Sequence, residues 1–211
     1  GGAGYMYADD FASNADRTNL LAKHAALVGN HMKQRRVKIL GLFCNDVSSA
    51  AAQEAYQAYI SQNDQLIGVI AVQYDPYAGG NGNIFWFKNS KGINIPVITT
   101  RYSIWNMGNS NSSNQGTPAF VASKINELAA MDKSTYSLVA VHAWSAFSDI
   151  GSSNDLVAEN VNGSYYSATP ASWCMRRLSS KVKVVNTEEL IWQLRMKTYP
   201  EETKSLLTTF Y

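Results

Sequence analysis

Short apolar runs alternate with helix-like apolar spacing along this chain. Runs of strand length, bounded by polar residues, are typical of buried β-strands. They occur at 37–43, 65–74, 93–99, 138–141 and 182–185, with an aromatic strand predicted at 84–87. Apolar stripes and helix-start residues predict helices at about 15–33, 50–61, 118–131, 169–178 and 187–197. Strands and helices in alternation indicate α/β units with flanking helices and a mostly parallel sheet.

The number of strands bears on whether the sheet is open or closed. About five parallel-type strands are fewer than the eight of a closed (β/α) barrel. The sheet is therefore either open or part of a barrel-like domain whose other strands lie upstream of Gly1. Because no internal repeat or linker divides the sequence, a single α/β domain over 1–211 is predicted.

Polar residues follow several of the predicted strands. The run Leu138–Val141 leads directly into His142, Trp144 and Ser145. Other runs lead into Asn45 and Asp46, into Tyr74 and Asp75, and into Arg101 and Trp105. In parallel α/β sheets the ligand site lies at the carboxyl ends of the strands, so we expect these side chains to meet along one rim.

The acidic residues of this rim are candidates for glycosidic bond cleavage. That reaction usually needs two carboxyl groups, one protonated and one ionised. Asp75 is the best-placed candidate because it follows a buried strand, and Asp46, Asp9 and Asp10 are the others. Each of them, taken singly, is also explained as a surface acid or a helix cap.

The remaining rim residues have two readings each. His142 is either a proton-transfer group or a core histidine bonded to the backbone. Arg101 offers a fork of donors for a carboxylate or sugar hydroxyls, or forms a structural salt bridge, for example with Asp75. Trp105 and Trp144 are either stacking platforms for sugar rings or part of the core.

Composition and charge argue against several classes of partner. The net charge is only +2, and no basic stripe suggests a nucleic acid partner. Histidines and cysteines lack metal-ligand spacing, and the glycine-rich loop at 79–82 lacks both nucleotide-binding patterns, so no metal or other cofactor is predicted. No apolar segment is long enough to span a membrane. Cys44 and Cys174 either pair or remain buried thiols, with the thiols favoured.

The first residues, Gly2-Ala3-Gly4-Tyr5-Met6-Tyr7-Ala8, resemble the signature of the GxGYxYP family of glycoside-hydrolase-like domains. The downstream Val-Gln-Tyr-Asp-Pro-Tyr and Val-His-Ala-Trp segments are similar to its C-terminal domain. Ala8 departs from the family by replacing a proline, so the turn after Tyr7 is expected to be looser.

The resemblance implies a barrel-like domain of extracytoplasmic, carbohydrate-processing proteins. It also implies that an upstream part of the domain, which would act as a partner, precedes Gly1. A secretory route would permit glycosylation at the sequons of Asn111 and Asn162.

Three functions remain open at this stage. In the first, the domain is a glycoside hydrolase that uses Asp75 or Asp46 as acid or base, His142 and Arg101 to orient the sugar, and aromatic residues for stacking. The stacking residues would be Tyr7, Tyr74, Trp105 and Trp144. In the second, the same scaffold binds carbohydrate or supports an assembly without cleaving a bond. In the third, the chain is a subunit completed by another segment of its precursor.

Overall fold

The computed structural model describes residues 6–13, 15–74, 77–105, 113–131, 135–147 and 165–210. The chain divides into two compact units. Unit 1 comprises Gly1–Ala71, Ile84–Ile98 and Val185–Tyr211, and unit 2 comprises Val72–Asn83 and Thr99–Val184. The prediction of a single domain over 1–211 is not tested by this division and stays a prediction.

Helices alternate with the first two strands and with the last one, whereas the second to sixth strands follow one another with no helix between them in the described ranges. The strands are β1 (Ile39–Cys44), β2 (Gly68–Gln73), β3 (Ile84–Lys88), β4 (Asn94–Thr99), β5 (Tyr102–Ile104), β6 (Gln115–Gly116) and β7 (Val139–Val141). The helices are α1 (Arg17–Arg35), α2 (Ala50–Ser61), α3 (Pro118–Ala130), α4 (Ala168–Arg176), α5 (Thr187–Thr198) and α6 (Pro200–Phe210), after a 3-10 helix at Ala8–Ser13.

A four-stranded sheet with the order β1-β2-β4-β3 carries the larger hydrophobic core. β3 is antiparallel to β4. Helices α1 and α2 bury one face each, and the side chains that they contribute include Leu21, Val28, Tyr56 and Ile60. The buried apolar stripe of each helix explains why these two segments fold against the sheet.

A three-stranded parallel sheet with the order β6-β5-β7 organises unit 2. Side chains alternate between the two faces of a strand, so its two faces differ in chemistry. One face is apolar and belongs to a core shared with α3 and α4; its residues are Tyr102, Ile104, Val139, Val141, Phe120 and Cys174. The opposite face carries Ser103, Gln115 and Ala140, which lie side by side in the register. This mostly polar face leads at its two ends to the residues of the candidate site.

The fold class predicted from the sequence is confirmed at the level of an α/β architecture with parallel-rich sheets and flanking helices. Within the described ranges the two sheets do not close into a barrel. The predicted strand at 182–185 is wrong, because that segment pairs with no strand in the described part of the chain. The two-residue and three-residue strands β6 and β5 were not predicted, since such short strands leave no apolar pattern to detect.

Helix starts are where the sequence was most informative. The side-chain oxygens of Ser49, Thr117 and Asn186 each accept a backbone N–H from the first turn of their helices, as their positions before the predicted helices suggest. The predicted helix starts at Ser13 and Thr169 are wrong, because the caps there are Asp16 and Ser167. Helix α6 was not predicted, although Pro200 stands at its first position, where proline is favoured. Both cysteines are free and buried, which confirms the favoured reading.

One glycine of unit 2 permits a close approach that any side chain would block. A Cβ on Gly80 would lie 2.1 Å from the Cβ of Thr99, which is fully buried and β-branched. The Thr99 hydroxyl lies 2.9 Å from the Gly80 carbonyl oxygen and 3.0 Å from that of Asn83, so it cannot move away freely.

Gly80→Ala is therefore expected to lower the free energy of unfolding by roughly 1–3 kcal/mol, the usual cost of overpacking. Urea denaturation of the variant and the unmodified protein measures this difference. Gly41→Ala is the matched control, because a Cβ at Gly41 in β1 would meet no atom within 4 Å. Equal midpoints for the two variants would contradict the prediction.

Candidate functional site

Five ring-bearing side chains of unit 2 form one contiguous group, which we call the aromatic cluster: Tyr74, Tyr77, Trp105, His142 and Trp144. His142 is at its centre. Its ring is stacked on Trp105 with centroids 4.8 Å apart, and the rings of Tyr77 and Trp144 lie 5.4 Å and 5.8 Å from it. The cluster therefore unites four residues that the sequence placed on the rim and adds Tyr77.

Parallel pairing brings the two central rings together. Trp105 follows β5 and His142 follows β7, and these strands run in register with Ile104 opposite Val141. The backbone N–H of His142 donates to the carbonyl oxygen of Ile104 at 3.0 Å, which extends the ladder by one bond. The carboxyl ends of the two strands thus deliver both side chains to the same edge, as expected for a parallel sheet.

Ser145 fixes the orientation of the His142 ring. The chain turns back after His142, and the backbone N–H of Ser145 donates to the His142 carbonyl oxygen at 3.2 Å. The buried Ser145 hydroxyl lies 2.8 Å from Nδ1 of His142. Partial burial lowers the pKa of His142 below its ordinary value of 6.5, so the imidazole is neutral at neutral pH.

The two tryptophans of the aromatic cluster differ strongly in solvent exposure. Trp105 is only 5% exposed and forms the floor of the cluster, whereas Trp144 is 80% exposed. The indole Nε1 of Trp105 is buried, and it has no hydrogen-bond partner within the described ranges. Trp144 thus presents an aromatic face to solvent, and Tyr74 is exposed as well.

Arg101 lies at the other end of β5. Its backbone N–H donates to the Leu138 carbonyl oxygen at 2.8 Å, at the amino end of the sheet. Trp105 comes four positions after Arg101 in extended chain, which corresponds to about 13 Å at ~3.3 Å per residue. The Nε of Arg101 faces Gly82, where a Cβ would come within 2.7 Å of it, and the Tyr136 hydroxyl donates to the Gly82 carbonyl oxygen. Side-chain alternation places Arg101 on the same face of β5 as Trp105.

Asp46 and Tyr7, two further predicted site residues, belong to unit 1. The carboxylate of Asp46 is exposed and accepts the backbone N–H of Ser48 at 2.8 Å. Tyr7 forms an isolated parallel bridge with Phe43 of β1.

Asp9 organises the loop that follows β1. Its carboxylate oxygens accept the backbone N–H groups of Asn45 and Asp46, each at 2.9 Å. Asp10 accepts a bond from the Asn45 amide at 2.8 Å. These bonds give Asp9 and Asp10 a structural task in holding the β1–α2 turn.

Three predicted sites, Asp75, Asn111 and Asn162, lie outside the described residues. Among the described residues of unit 2 the one carboxylate is Glu127, which pairs on the surface of α3 with Lys124 at 3.0 Å. The other acidic residues of the unit 2 sequence fall outside the described ranges as well. The assignment of catalytic carboxylates thus stays a prediction.

Comparison with known families decides the family of this chain. The family model described as "GxGYxYP putative glycoside hydrolase C-terminal domain" matches residues 1–172 of the 211. The chain belongs to the GxGYxYP family. The resemblance seen in the first motif is thereby confirmed. Neither the curated proteins nor the solved structures gave a match.

The GxGYxYP match includes every predicted site residue, and helices α5 and α6 lie beyond it. These two helices line an open cleft of about 570 Å³. Its lining residues include Trp192, Glu188, Glu189 and Gln193. Their polar groups bond to one another, since Trp192 Nε1 donates to Glu188 at 3.4 Å and Gln193 donates to Glu189 at 2.9 Å. This cleft was not predicted from the sequence.

Two other properties of this GxGYxYP domain concern metals and membranes. Among the described residues, no group of three or more metal-ligating side chains is assembled. None of the described helices combines the length and apolar character needed to cross a bilayer.

The residue that sequence reasoning missed as a site residue is Tyr77, and the repeated tyrosine of the Tyr-Asp-Pro-Tyr segment was the available signal.

Proposed function

We propose that this GxGYxYP domain binds a glycan on the aromatic cluster and cleaves a glycosidic bond beside it. The single observation that carries the binding step is the exposed indole of Trp144 at the edge of a packed group of aromatic rings. An aromatic face in contact with water is a binding surface for the apolar face of a sugar ring. The family description, which names a glycoside hydrolase domain, supports the cleavage step.

Asp75 is the proposed acid or base, because it stands in sequence between Tyr74 and Tyr77, which are both members of the aromatic cluster. Asp46 is the second candidate. Hydrolysis needs one carboxyl group to protonate the leaving oxygen and another to act as nucleophile or to activate water. The neutral imidazole of His142, held by Ser145, is suited to hydrogen-bond a sugar hydroxyl or to relay a proton.

The remaining substrate-binding assignments follow from position. Trp144 and Tyr74 would contact sugar rings, Trp105 would support His142 from below, and Arg101 would hold a group further along the glycan. Tyr7 of the family motif, which belongs to unit 1, stays a predicted substrate-binding residue.

A second candidate function is glycan binding without cleavage. Binding alone needs the exposed aromatic face of Trp144 at the edge of the aromatic cluster and no carboxylate. Incubation of the unmodified protein with a panel of oligosaccharides, followed by analysis of reducing ends, discriminates the two. Binding with turnover supports the hydrolase, and binding without turnover supports the module.

Trp144→Ala is expected to weaken glycan binding about tenfold. Covering roughly 55 Å² of indole at ~25 cal/mol per Å² is worth about 1.4 kcal/mol, which is a factor of ten in Kd. Isothermal titration calorimetry with a glycan that the unmodified protein binds measures the change. The thermal unfolding midpoint should stay the same, because the side chain is mostly in water.

Tyr166→Ala is the matched control for that measurement, since Tyr166 is an exposed aromatic residue of unit 2 outside the aromatic cluster. It should leave Kd unchanged. If Trp144→Ala binds as tightly as the control, the aromatic cluster is not the glycan surface.

We extend the proposal to the setting of the protein. A secreted or extracytoplasmic location, glycosylation at Asn111 and Asn162, a barrel-like complete domain and a partnering upstream segment are the expectations drawn from the family resemblance. Mass spectrometry of the intact natural product would test all but the barrel, because it reports attached glycans and any residues that precede Gly1.

A further inference from the structure

Arg101 of unit 2 is a partly buried cation without a visible counter-charge. No carboxylate of the part of the chain that the structure describes lies within ion-pair distance of its guanidinium. Its Nε is buried and has no hydrogen-bond partner there either. A cation that is removed in part from water is costly unless an anion compensates it, so this arrangement points to an anionic group from a ligand.

Gly82 lies against the Nε edge of the Arg101 guanidinium. Gly82, with φ of +74°, approaches the Nε side so closely that any side chain there would collide with it. The Tyr136 hydroxyl holds the carbonyl oxygen of Gly82. A carboxylate would therefore be bound by the two terminal Nη groups, whose N–H bonds match its two oxygens.

The position of Arg101 relates it to the aromatic cluster. Both lie on the same face of β5, at its opposite ends, about 13 Å apart along the strand at ~3.3 Å per residue. A glycan of a few sugar units that rests on Trp144 can extend over this distance. The group that reaches Arg101 then belongs to a sugar several bonds away from the one on the aromatic cluster.

We propose that the glycan is acidic, and that Arg101 binds the carboxylate of a uronic acid residue. This inference rests on the proposed function, because it names the substrate class of the same surface. The shared chemistry of an anionic sugar would also admit a sulfate ester, but the two-oxygen carboxylate fits the planar fork of the guanidinium best.

The first test uses the unmodified protein and three classes of oligosaccharide. Oligogalacturonate and alginate oligosaccharides carry carboxylates, mannan and xylan oligosaccharides are neutral, and carrageenan oligosaccharides carry sulfate alone. We expect at least tenfold tighter binding of the uronates by calorimetry, with affinity that falls as salt is raised.

The second test isolates Arg101. Arg101→Gln should weaken binding of the uronates roughly 10- to 100-fold, the loss of a charged hydrogen-bonded pair, and change the affinity for neutral oligosaccharides less than about twofold. Arg101→Lys keeps the charge without the fork of N–H donors. Its affinity for uronates should lie between those of the unmodified protein and Arg101→Gln. Arg176→Gln removes an exposed arginine of the same unit and should have no effect.

The outcomes separate this inference from the function on which it rests. If no oligosaccharide of any class binds, the glycan-binding function itself is overturned. If neutral chains bind as tightly as uronates, or if Arg101→Gln weakens both classes equally, glycan binding stands and the acidic substrate is overturned. Equal binding of the sulfated chains would overturn the assignment of a carboxylate.

Discussion

Glu202→Ala is expected to destabilise the protein by about 3 kcal/mol, at the lower end of the cost of breaking a buried ion pair because Glu202 is partly exposed. Its carboxylate lies 3.1 Å from Nη2 of Arg195, which is only 1% exposed. Nη1 of Arg195 donates to the Ile67 carbonyl oxygen at 3.1 Å. Burial lowers the pKa of Arg195 and the nearby Glu202 raises it, so the carboxylate is what keeps this buried cation tolerable.

The same carboxylate also joins helix to sheet within unit 1. The backbone N–H of Asn94, at the start of β4, donates to Glu202 at 3.2 Å, and the Asn94 side-chain amide donates at 3.0 Å. Replacement by alanine removes these acceptors together with the counter-charge. The whole packing of α5 and α6 against the sheet is thus expected to weaken.

Urea denaturation followed by circular dichroism measures the effect. Glu201→Ala is the control, because Glu201 is the adjacent glutamate, is mostly in water and pairs only with Lys204 within α6. That change should cost less than about 1 kcal/mol. The double replacement Arg195→Met with Glu202→Leu should recover much of the lost stability, since it removes both charges. Equal destabilisation by the two single glutamate variants would refute this account of the Arg195–Glu202 pair.

Local signals explain why the fold class was predictable. The caps at Ser49, Thr117 and Asn186 depend on one side chain and the N–H groups of the next turn, all of which are adjacent in sequence. Buried strands likewise leave an apolar run. Nothing comparable marks β6, which is held by pairing with β5 and not by its own residues. Nor does spacing along the chain reveal that Arg195 and Glu202 meet across the turn at Pro200.

The candidate site was predictable to the extent that it follows from parallel pairing. Trp105 and His142 were expected on one edge because they come after the predicted strands at 93–99 and 138–141. Trp105 in fact follows β5, which was not predicted, and the register of β5 with β7 brings the two rings together. Arg101 was assigned to the same rim because the short strand β5 was not recognised. Once β5 is present, Arg101 precedes a strand and lies at the opposite end from Trp105.

The difference in exposure between the two tryptophans could not be predicted from the sequence either. Trp105 and Trp144 have the same side chain and each follows a strand, yet one is nearly buried and the other is largely in water. The difference arises from the turn that begins at His142 and from the packing of Tyr77 over the Trp105 ring at 4.7 Å. These are tertiary contacts, so the choice between core and platform depends on the folded structure.

Asp75→Asn is expected to lower the rate of glycan hydrolysis by about 10²- to 10⁴-fold, the usual contribution of a general acid or base, while glycan binding stays within about twofold. Asparagine keeps the size of the side chain and removes its ability to exchange a proton. The choice of Asp75 rests on the sequence, in which it stands between Tyr74 and Tyr77, two members of the aromatic cluster. Single-turnover assays with a glycan that the unmodified protein cleaves, together with calorimetry, separate the two quantities.

Asp46→Asn distinguishes the two candidate carboxylates under the same conditions. The Asp46 carboxylate already accepts the N–H of Ser48, and an asparagine amide oxygen can accept that bond as well, so the loop should remain folded. A general acid or base also shapes the dependence of the rate on pH, so loss of one limb of that profile in Asp75→Asn, but not in Asp46→Asn, would identify its proton as the one transferred. If Asp75→Asn retains the full rate and the full pH profile, then Asp75 has no part in catalysis, and the acid must be Asp46 or another carboxyl group.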